Sequence, residues 1–407
     1  MEAASGNNMG KGKVELLGKC DPETYPIQKK ALSNEYLRDH VHLRARTDTI
    51  ASMIRLRNGL RKNIGAFFEK QGFIYADTPI ITGNDAEGAG EAFEIAKIAR
   101  EHPAWQADPS SSKDSQSIAP TDFFSRPAYL TVSHQLHLEA LATALSRVYT
   151  LAPCFRAEPS LTGRHLAEFW MMEAEWVVNA AETQGGDGKQ VADVCGFVEG
   201  CLRDVVGEFV VGKSSDMDVL WKDGNELKRR SLDEAFGSLT PWTRMSYSSA
   251  IRYLEEHNSS TTTSQKFKYE PKWGWPLQSE HERWIAEKLI GGPVFITDYP
   301  SAIKPFYMRV NDEGTTVACF DLIVPHVGEL VGGSVREERA EILDEWANVG
   351  AETNAEEYKW YLDLRRYGGA PHVGFGMGFE RLVSWVGGID NIRECVPMPR
   401  WAGRMLL

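Results

Sequence analysis

The chain has 407 residues, 42% of them apolar and 25% charged, a globular composition with enough surface to bury for one large domain or two ordinary ones. Its net charge of −12 argues against binding nucleic acid through bulk positive charge and leaves room only for a local basic patch. No apolar run approaches the roughly 20 residues that span a bilayer, and the opening MEAASGNNMGKGK has neither a signal-peptide core nor an Arg-rich presequence. A soluble intracellular protein with no membrane contact is expected. Cys20, Cys154, Cys195, Cys201, Cys319 and Cys395 form no C-x-x-C pair, which argues against a zinc ribbon or disulfide framework and for small core residues.

In chain order, residues 1–12 read as a lead, Lys13–Gly18 as one short strand, and the Asp21-Pro22 and Tyr25-Pro26 pairs as an irregular connector. Apolar residues three and four apart (Ile50, Met53, Ile54, Leu60, Ile64, Phe67, Phe68) predict a helix over about 48–70, capped by Gly72. Phe73–Ile81 follows as a strand carrying Pro79, a residue that favours an edge or interface position. Residues 101–127 are loop-like, Leu138–Leu145 helical, and Val148–Phe155 and Glu168–Val178 strand-like. The mixed segment at about 181–265 resembles an insertion or peripheral subdomain. Short apolar runs from Pro293 onward predict an antiparallel sheet, so the fold class is α+β.

Three stretches could carry chemistry. Within VYTLAPCFRAEPSLTGRHLAEFWMMEAEW (Val148–Trp176), Arg156, Glu158, Arg164, His165 and Glu168 crowd a loop between two strands. Guanidinium donors there suit phosphate oxygens, and Phe169 could offer a purine an aromatic face; a solvated hairpin with surface charges reads equally well. GFGMGFER (Gly374–Arg381) is a strand-to-helix glycine cluster outside any βαβ unit, and close packing explains its glycines as readily as a phosphate does. In DLIVPHVGELVGGSVREER (Asp321–Arg339), Glu329 and Asp321 are candidate Mg²⁺ ligands and Arg336 could face a carboxylate or amide; each could also be an ordinary surface charge.

Taken together and in order, these stretches resemble the three signature motifs of class II aminoacyl-tRNA synthetases: the helix and strand of residues 48–81 the first, FRAE…RHLAEF the second, GFGMGFER the third. YPIQKK, EGAGE, LTVSHQLHLE, SEHER, IKPFYMR and ELVGGSVREER narrow the likeness to the asparaginyl branch, in bacterial or fungal-mitochondrial wording. The resemblance implies a catalytic domain over 48–407, an antiparallel sheet flanked by helices, and a homodimer built on the first motif. It also implies ATP-dependent formation of asparaginyl-adenylate, with Mg²⁺, and transfer to tRNA(Asn). By the same resemblance, Arg156 contacts the α-phosphate and Glu158 the adenine or the acceptor end. His165 and Arg381 serve the outer phosphates, Phe169 stacks on adenine, and Glu329, with Asp321, holds the metal. Glu87, Ser133 and Gln135 hold the amino acid's α-ammonium and flank its backbone, and Arg336 meets its side-chain oxygen. Leu138 stands where aspartyl relatives carry a lysine, which favours asparagine.

Such enzymes begin with an anticodon-reading OB-fold, of which KVELLG would be the last remnant, residues 1–47 being lead, remnant and hinge. A second reading therefore stays open: a tRNA-independent paralogue, an aspartate–ammonia ligase or an aminoacyl transferase to a small molecule, using the same adenylation site. The resemblance implies the mitochondrial matrix or the cytoplasm as compartment. His134, where the family has a small residue or Pro, and nearby His137 depart from the pattern.

Overall fold

The helical period read from Ile50 to Phe68 forms a single 23-residue helix, and its apolar stripe is the seam on which a large sheet packs. The structure, a computed structural model, describes residues 17–83, 92–95, 124, 127–159, 162–179, 183–212, 214–222, 224, 226–260, 265–349 and 357–407. Within these the helices are α1 (Asn34–Asp39), α2 (Asp48–Lys70), α3 (Gln135–Leu145), α4 (Gly186–Val211), α5 (Ser215–Leu220), α6 (Glu226–Gly237), α7 (Tyr247–Ser260), α8 (Ser279–Trp284), α9 (Ala340–Val349), α10 (Lys359–Arg366) and α11 (Phe379–Gly387). The strands are β1 (Ile74–Tyr75), β2 (Ile81–Thr82), β3 (Tyr129–Leu130), β4 (Arg147–Phe155), β5 (Glu168–Val177), β6 (Thr243–Ser246), β7 (Val294–Thr297), β8 (Cys319–Val324), β9 (Gly328–Val335) and β10 (His372–Gly378).

Eight strands form one sheet in the order β1-β4-β5-β10-β9-β8-β7-β6. Its inner pairings are antiparallel, and only the short edge strands β1 and β6 pair in parallel. This is the α+β sheet with flanking helices that the sequence predicts. One face buries Met172, Ala174 and Trp176 of β5 with Val373, Phe375 and Met377 of β10, under α2 and α4. Phe68 stacks on Tyr149 with ring centroids 4.5 Å apart. A second core, with Tyr247, Ile285, Ile296 and Tyr361, lies toward the β7 end.

Two expectations change. The strand expected over Phe73–Ile81 is broken: β1 joins the large sheet, β2 pairs with β3 in a separate ladder, and Pro79, which has no N–H to donate, lies between them. The segment at about 181–265 is not peripheral. Helix α4 places Val191, Val194, Val198, Leu202 and Val205 in the same core as Phe68, and β6 is the sheet's last strand. The polar run that suggested an insertion ends in the first turn of that helix. Residues 13–16 of the KVELLG strand, EGAGE, and almost all of the 101–127 loop lie outside the described residues. Cys154, Cys195, Cys201, Cys319 and Cys395 are buried free thiols and Cys20 is exposed. No helix among the described residues is long and apolar enough to cross a membrane.

The segment before α2 is tied down by Arg44, which is fully buried. It donates to Glu394 at 2.7 Å and to the carbonyls of Pro397 and Arg393 at 3.0 Å each, and also to the Val396 carbonyl. One guanidinium thus satisfies the turn that follows α11. Arg44→Met is expected to cost about 3–5 kcal/mol, because it strands buried acceptors. Urea unfolding monitored by circular dichroism measures it, and a loss below about 1 kcal/mol would show that the turn does not need Arg44.

Candidate active site

The site follows from strand alternation. Residues i, i+2 and i+4 of a strand share a face, so Phe169, Met171, Glu173 and Glu175 run along the face of β5 opposite the Met172–Trp176 core. On β10 the same face carries Gly374, Gly376 and Gly378, with His372 at the start of the strand. Glu175 is registered against Gly374, and Glu173 against Gly376. Strand β9 adds Ser334 beside Gly374 and Gly332 beside Gly376. Acidic side chains therefore lie over a floor with almost no side chains of its own. A Cβ on Gly374 would overlap the whole carboxylate of Glu175, which is the reason for glycine at that position.

At one end of this floor, Arg156, Glu158, His165, Phe169, Glu329 and Arg381 line a single cleft. All six residues expected to meet ATP come together there. Arg156 lies over the Phe169 ring, 5.4 Å from its centroid. His165 faces Glu158 at 3.0 Å and takes part in a 2.7 Å hydrogen bond with Thr162. Arg381 donates to the Glu329 carbonyl at 2.7 Å, with its guanidinium 3.8 Å from the Glu329 carboxylate. Two cations not assigned from sequence join them, since Arg164 and Arg283 line the adjoining recess with Arg381. Burial lowers the Arg164 pKa, and Arg283 and Arg381 lower it further. Such a cluster of like charges suits a polyanion. Glu282 sits beside Glu329, and burial together with that neighbour pushes its carboxyl up to about 7.

At the other end the floor is walled by a buried ion pair. Arg336 grips Glu175 through Nε at 3.1 Å and again through Nη2, and donates to Ser334 at 2.6 Å. Burial pushes the Glu175 carboxyl up and Arg336 pulls it back down. Burial works against the Arg336 guanidinium too, yet Glu175 holds it above its ordinary value. Between the two ends stands Glu173, which accepts from the Ser133 hydroxyl and from the His134 amide at 2.9 Å. Gln135 begins α3 next to them, its backbone N–H donating to the Ser133 hydroxyl at 3.2 Å. Ser133, Gln135 and Arg336 are thus gathered along this half of the floor, and Glu87 lies outside the described residues.

Sequence reasoning passed over Glu173 and Glu175. The signal was there in MMEAEW, where two acids alternate with core residues in an otherwise apolar strand. Asp321 is already paired. Expected to share a metal ion with Glu329, it gives both oxygens to Lys304, at 2.9 and 2.7 Å, in a pocket where a bare carboxylate would be costly. His134 is a wall residue: its ring bonds Thr78 at 2.7 Å and the Pro153 carbonyl at 3.1 Å. That occupies both ring nitrogens, so its nearness to Cys154 and Glu173 makes no metal site. His137 stacks on Trp360.

The family model for tRNA synthetases class II (D, K and N) matches residues 33–402. The chain belongs to that family. It is 45% identical to the asparagine–tRNA ligase of Rhodopirellula baltica over 96% of its own length and 74% of the relative's. Against the enzyme of the same name from Protochlamydia amoebophila it is again 45% identical, over 96% of this chain and 78% of the relative. Among solved structures, asparaginyl-tRNA synthetase of Pyrococcus horikoshii, complexed with asparaginyl-adenylate, superposes with a TM-score of 0.77 at 28% identity, covering 97% of this chain and 78% of that one. The Entamoeba histolytica enzyme, also with asparaginyl-adenylate, gives 0.73 at 25% identity, over 95% and 75%.

The floor of this class II synthetase is open to a direct check. Gly374→Ala is expected to displace Glu175, strand buried Arg336 and lower the unfolding free energy by about 3–5 kcal/mol. At Gly376 the tightest contact of an added Cβ is the flexible end of Met171, at 3.1 Å, with Glu173 at an ordinary 3.5 Å, and Ala there should cost no more than about 1 kcal/mol. Equal losses in denaturant titrations would mean that the Glu175 contact is not what fixes Gly374.

Proposed function

We propose that the chain is an asparagine–tRNA ligase that joins asparagine to ATP as asparaginyl-adenylate and passes the asparaginyl group to the 3′ end of tRNA(Asn). The observation that carries the choice of amino acid is the buried Glu175–Arg336 pair at the end of the floor away from the arginines. A carboxamide has an oxygen to accept from Arg336 and N–H groups to donate to Glu175. An aspartate carboxylate has no donor for Glu175 and brings a second negative charge against a buried one, at a cost of about 3–5 kcal/mol. Leu138 supports the same choice. It packs, fully buried, on Val148, the cross-strand neighbour of Glu175, so the wall where a cation could offset that charge is apolar. The asparagine–tRNA ligases at 45% identity support the reading independently.

The mechanism needs no general base. The asparagine carboxylate is already ionised, and it attacks the ATP α-phosphorus in line as the bond to the β-phosphate oxygen breaks and pyrophosphate leaves. Arg156 offsets charge on the α-phosphoryl oxygens while Arg381, with Arg164 and Arg283, takes the outer phosphates. Adenine packs on Phe169 opposite Arg156, with Glu158 at its rim, and His165 stands toward the outer phosphates beside Arg164 and Arg381. Glu173, Gln135 and Ser133 receive the α-ammonium, and Glu87 is proposed to join them. Arg336 meets the side-chain oxygen. In the second step the terminal ribose hydroxyl of tRNA attacks the adenylate carbonyl and AMP leaves. These substrates call for an intracellular compartment, matrix or cytoplasm.

Mg²⁺ fits beside Glu329: a Cβ on Gly332 would lie 3.4 Å from both the Glu329 and Asp321 oxygens, so glycine keeps that space clear. Bound there through Glu329, the ion would neutralise phosphate charge; Asp321 would contribute only by giving up Lys304. A homodimer is proposed on the first motif, where Ile74, Tyr75, Ile80 and Ile81 are each 39–48% exposed, an apolar surface that favours a partner.

Pyrophosphate exchange should proceed with asparagine and not aspartate, and labelled asparagine should charge total tRNA. Exchange with both amino acids at similar kcat/KM would overturn the role given to Glu175 and Arg336, and exchange without charging would select the tRNA-independent reading. In sedimentation velocity the chain should run as a dimer and Ile81→Arg as a monomer; a wild-type monomer at micromolar concentration would remove the dimer.

A further inference from the structure

Behind the amino-acid half of the floor lies a buried carboxylate to which no step above assigns a part. Glu139, on α3, is fully buried. Its Oε2 accepts from Tyr361 and Arg365, both at 2.7 Å, and faces His372 Nε2 at 2.9 Å; its Oε1 accepts from the amide nitrogen of Gln135 at 3.0 Å. Three of these partners belong to α10 and β10 at the far end of the sequence, and the fourth is one helical turn away. Burial would push Glu139 toward the neutral acid, but Arg365 and His372 hold it well below the ordinary carboxylate range.

An ionised carboxylate only accepts. The Gln135 carboxamide, which could otherwise turn either way at no cost in shape, can therefore present only its NH₂ to Glu139, and its oxygen must point away. Gln135 starts the helix that lies against β4 and β5, beside Ser133 and Glu173. We propose that Glu139 is a positioning residue: it fixes Gln135 with the amide oxygen outward as an acceptor for the α-ammonium of asparagine. Without it the amide is free to turn its NH₂ toward the substrate's cationic end, where two donors would meet and repel. His372 ties the device to the specificity wall, since its carbonyl accepts the backbone N–H of Arg336 at 2.9 Å.

The inference rests on the asparagine-activating reading and on Gln135 facing the α-ammonium. The test is pyrophosphate exchange, with succinamic acid, which is asparagine without its α-amino group, as competitive inhibitor. Glu139→Gln should raise KM for asparagine at least 10-fold and leave KM for ATP and the Ki of succinamic acid within about 2-fold, because the introduced amide can donate and so turns Gln135 round. Adding Gln135→Glu to that variant should restore most of the loss, since the new carboxylate accepts from the introduced amide and offers its second oxygen to the ammonium. Should Glu139→Gln not fold, Gln135→Glu alone decides. With Glu139 fixing the amide, a second carboxylate four residues away must share a proton with it, and asparagine KM rises; without that role it is simply a stronger acceptor, and KM falls. A succinamic acid Ki that rises in step with asparagine KM, or a double variant no better than the single one, overturns the proposal. Absence of exchange in the wild type, or an unchanged KM in Gln135→Ala, would instead overturn the reading beneath it.

Discussion

The buried pair of Glu175 and Arg336 is the constraint around which the site is built. Two charges withdrawn from water are tolerated only if each is met by the other and by further donors; here Arg336 grips Glu175 twice and also takes Ser334. The pair needs room, and the sheet makes it by omitting side chains, since Gly374 lies directly under the carboxylate. It needs a rigid backbone too, and Arg336 is anchored to the carbonyl of His372 on the neighbouring strand. A pair held in this way offers a small ligand one donor side and one acceptor side, the complement of a carboxamide.

The remaining chemistry is distributed by the pitch of β5. Its residues alternate between the core and the floor, so one strand supplies Phe169 at the nucleotide end, Glu173 in the middle and Glu175 at the amino-acid end. Arg156, Arg164, Arg283 and Arg381 meet at the end where a polyphosphate would lie, interleaved with Glu158, Glu282 and Glu329, and Glu173 stands in the middle, where an ammonium would.

Much of this was legible in the residues. The period of 48–70 gave α2, the apolar runs gave β4, β5 and the C-terminal strands, and motif order brought Arg156, Glu158, His165, Phe169, Glu329 and Arg381 into one cleft. Other features were not legible, for identifiable reasons. Pro79 split a plausible strand because its neighbours found partners in two different sheets. The 181–265 segment looked peripheral because its polar lead hides a helix whose buried stripe faces the main core. That Asp321 is paired with Lys304, 17 residues away, could not be read from either stretch alone.

By itself the sequence determined most of the elements, the family they belong to and which residue types stand ready for phosphate and amino acid, because periodicity, turn residues and motif spacing are local properties. Only the tertiary structure decided which of the many charged residues face one another. Glu139 meets Tyr361, Arg365 and His372 across more than 200 residues, and Glu175 meets Arg336 across 161. Such partnerships are set by strand register and by the cost of burying an unmet charge, and neither is written in any short stretch of the chain.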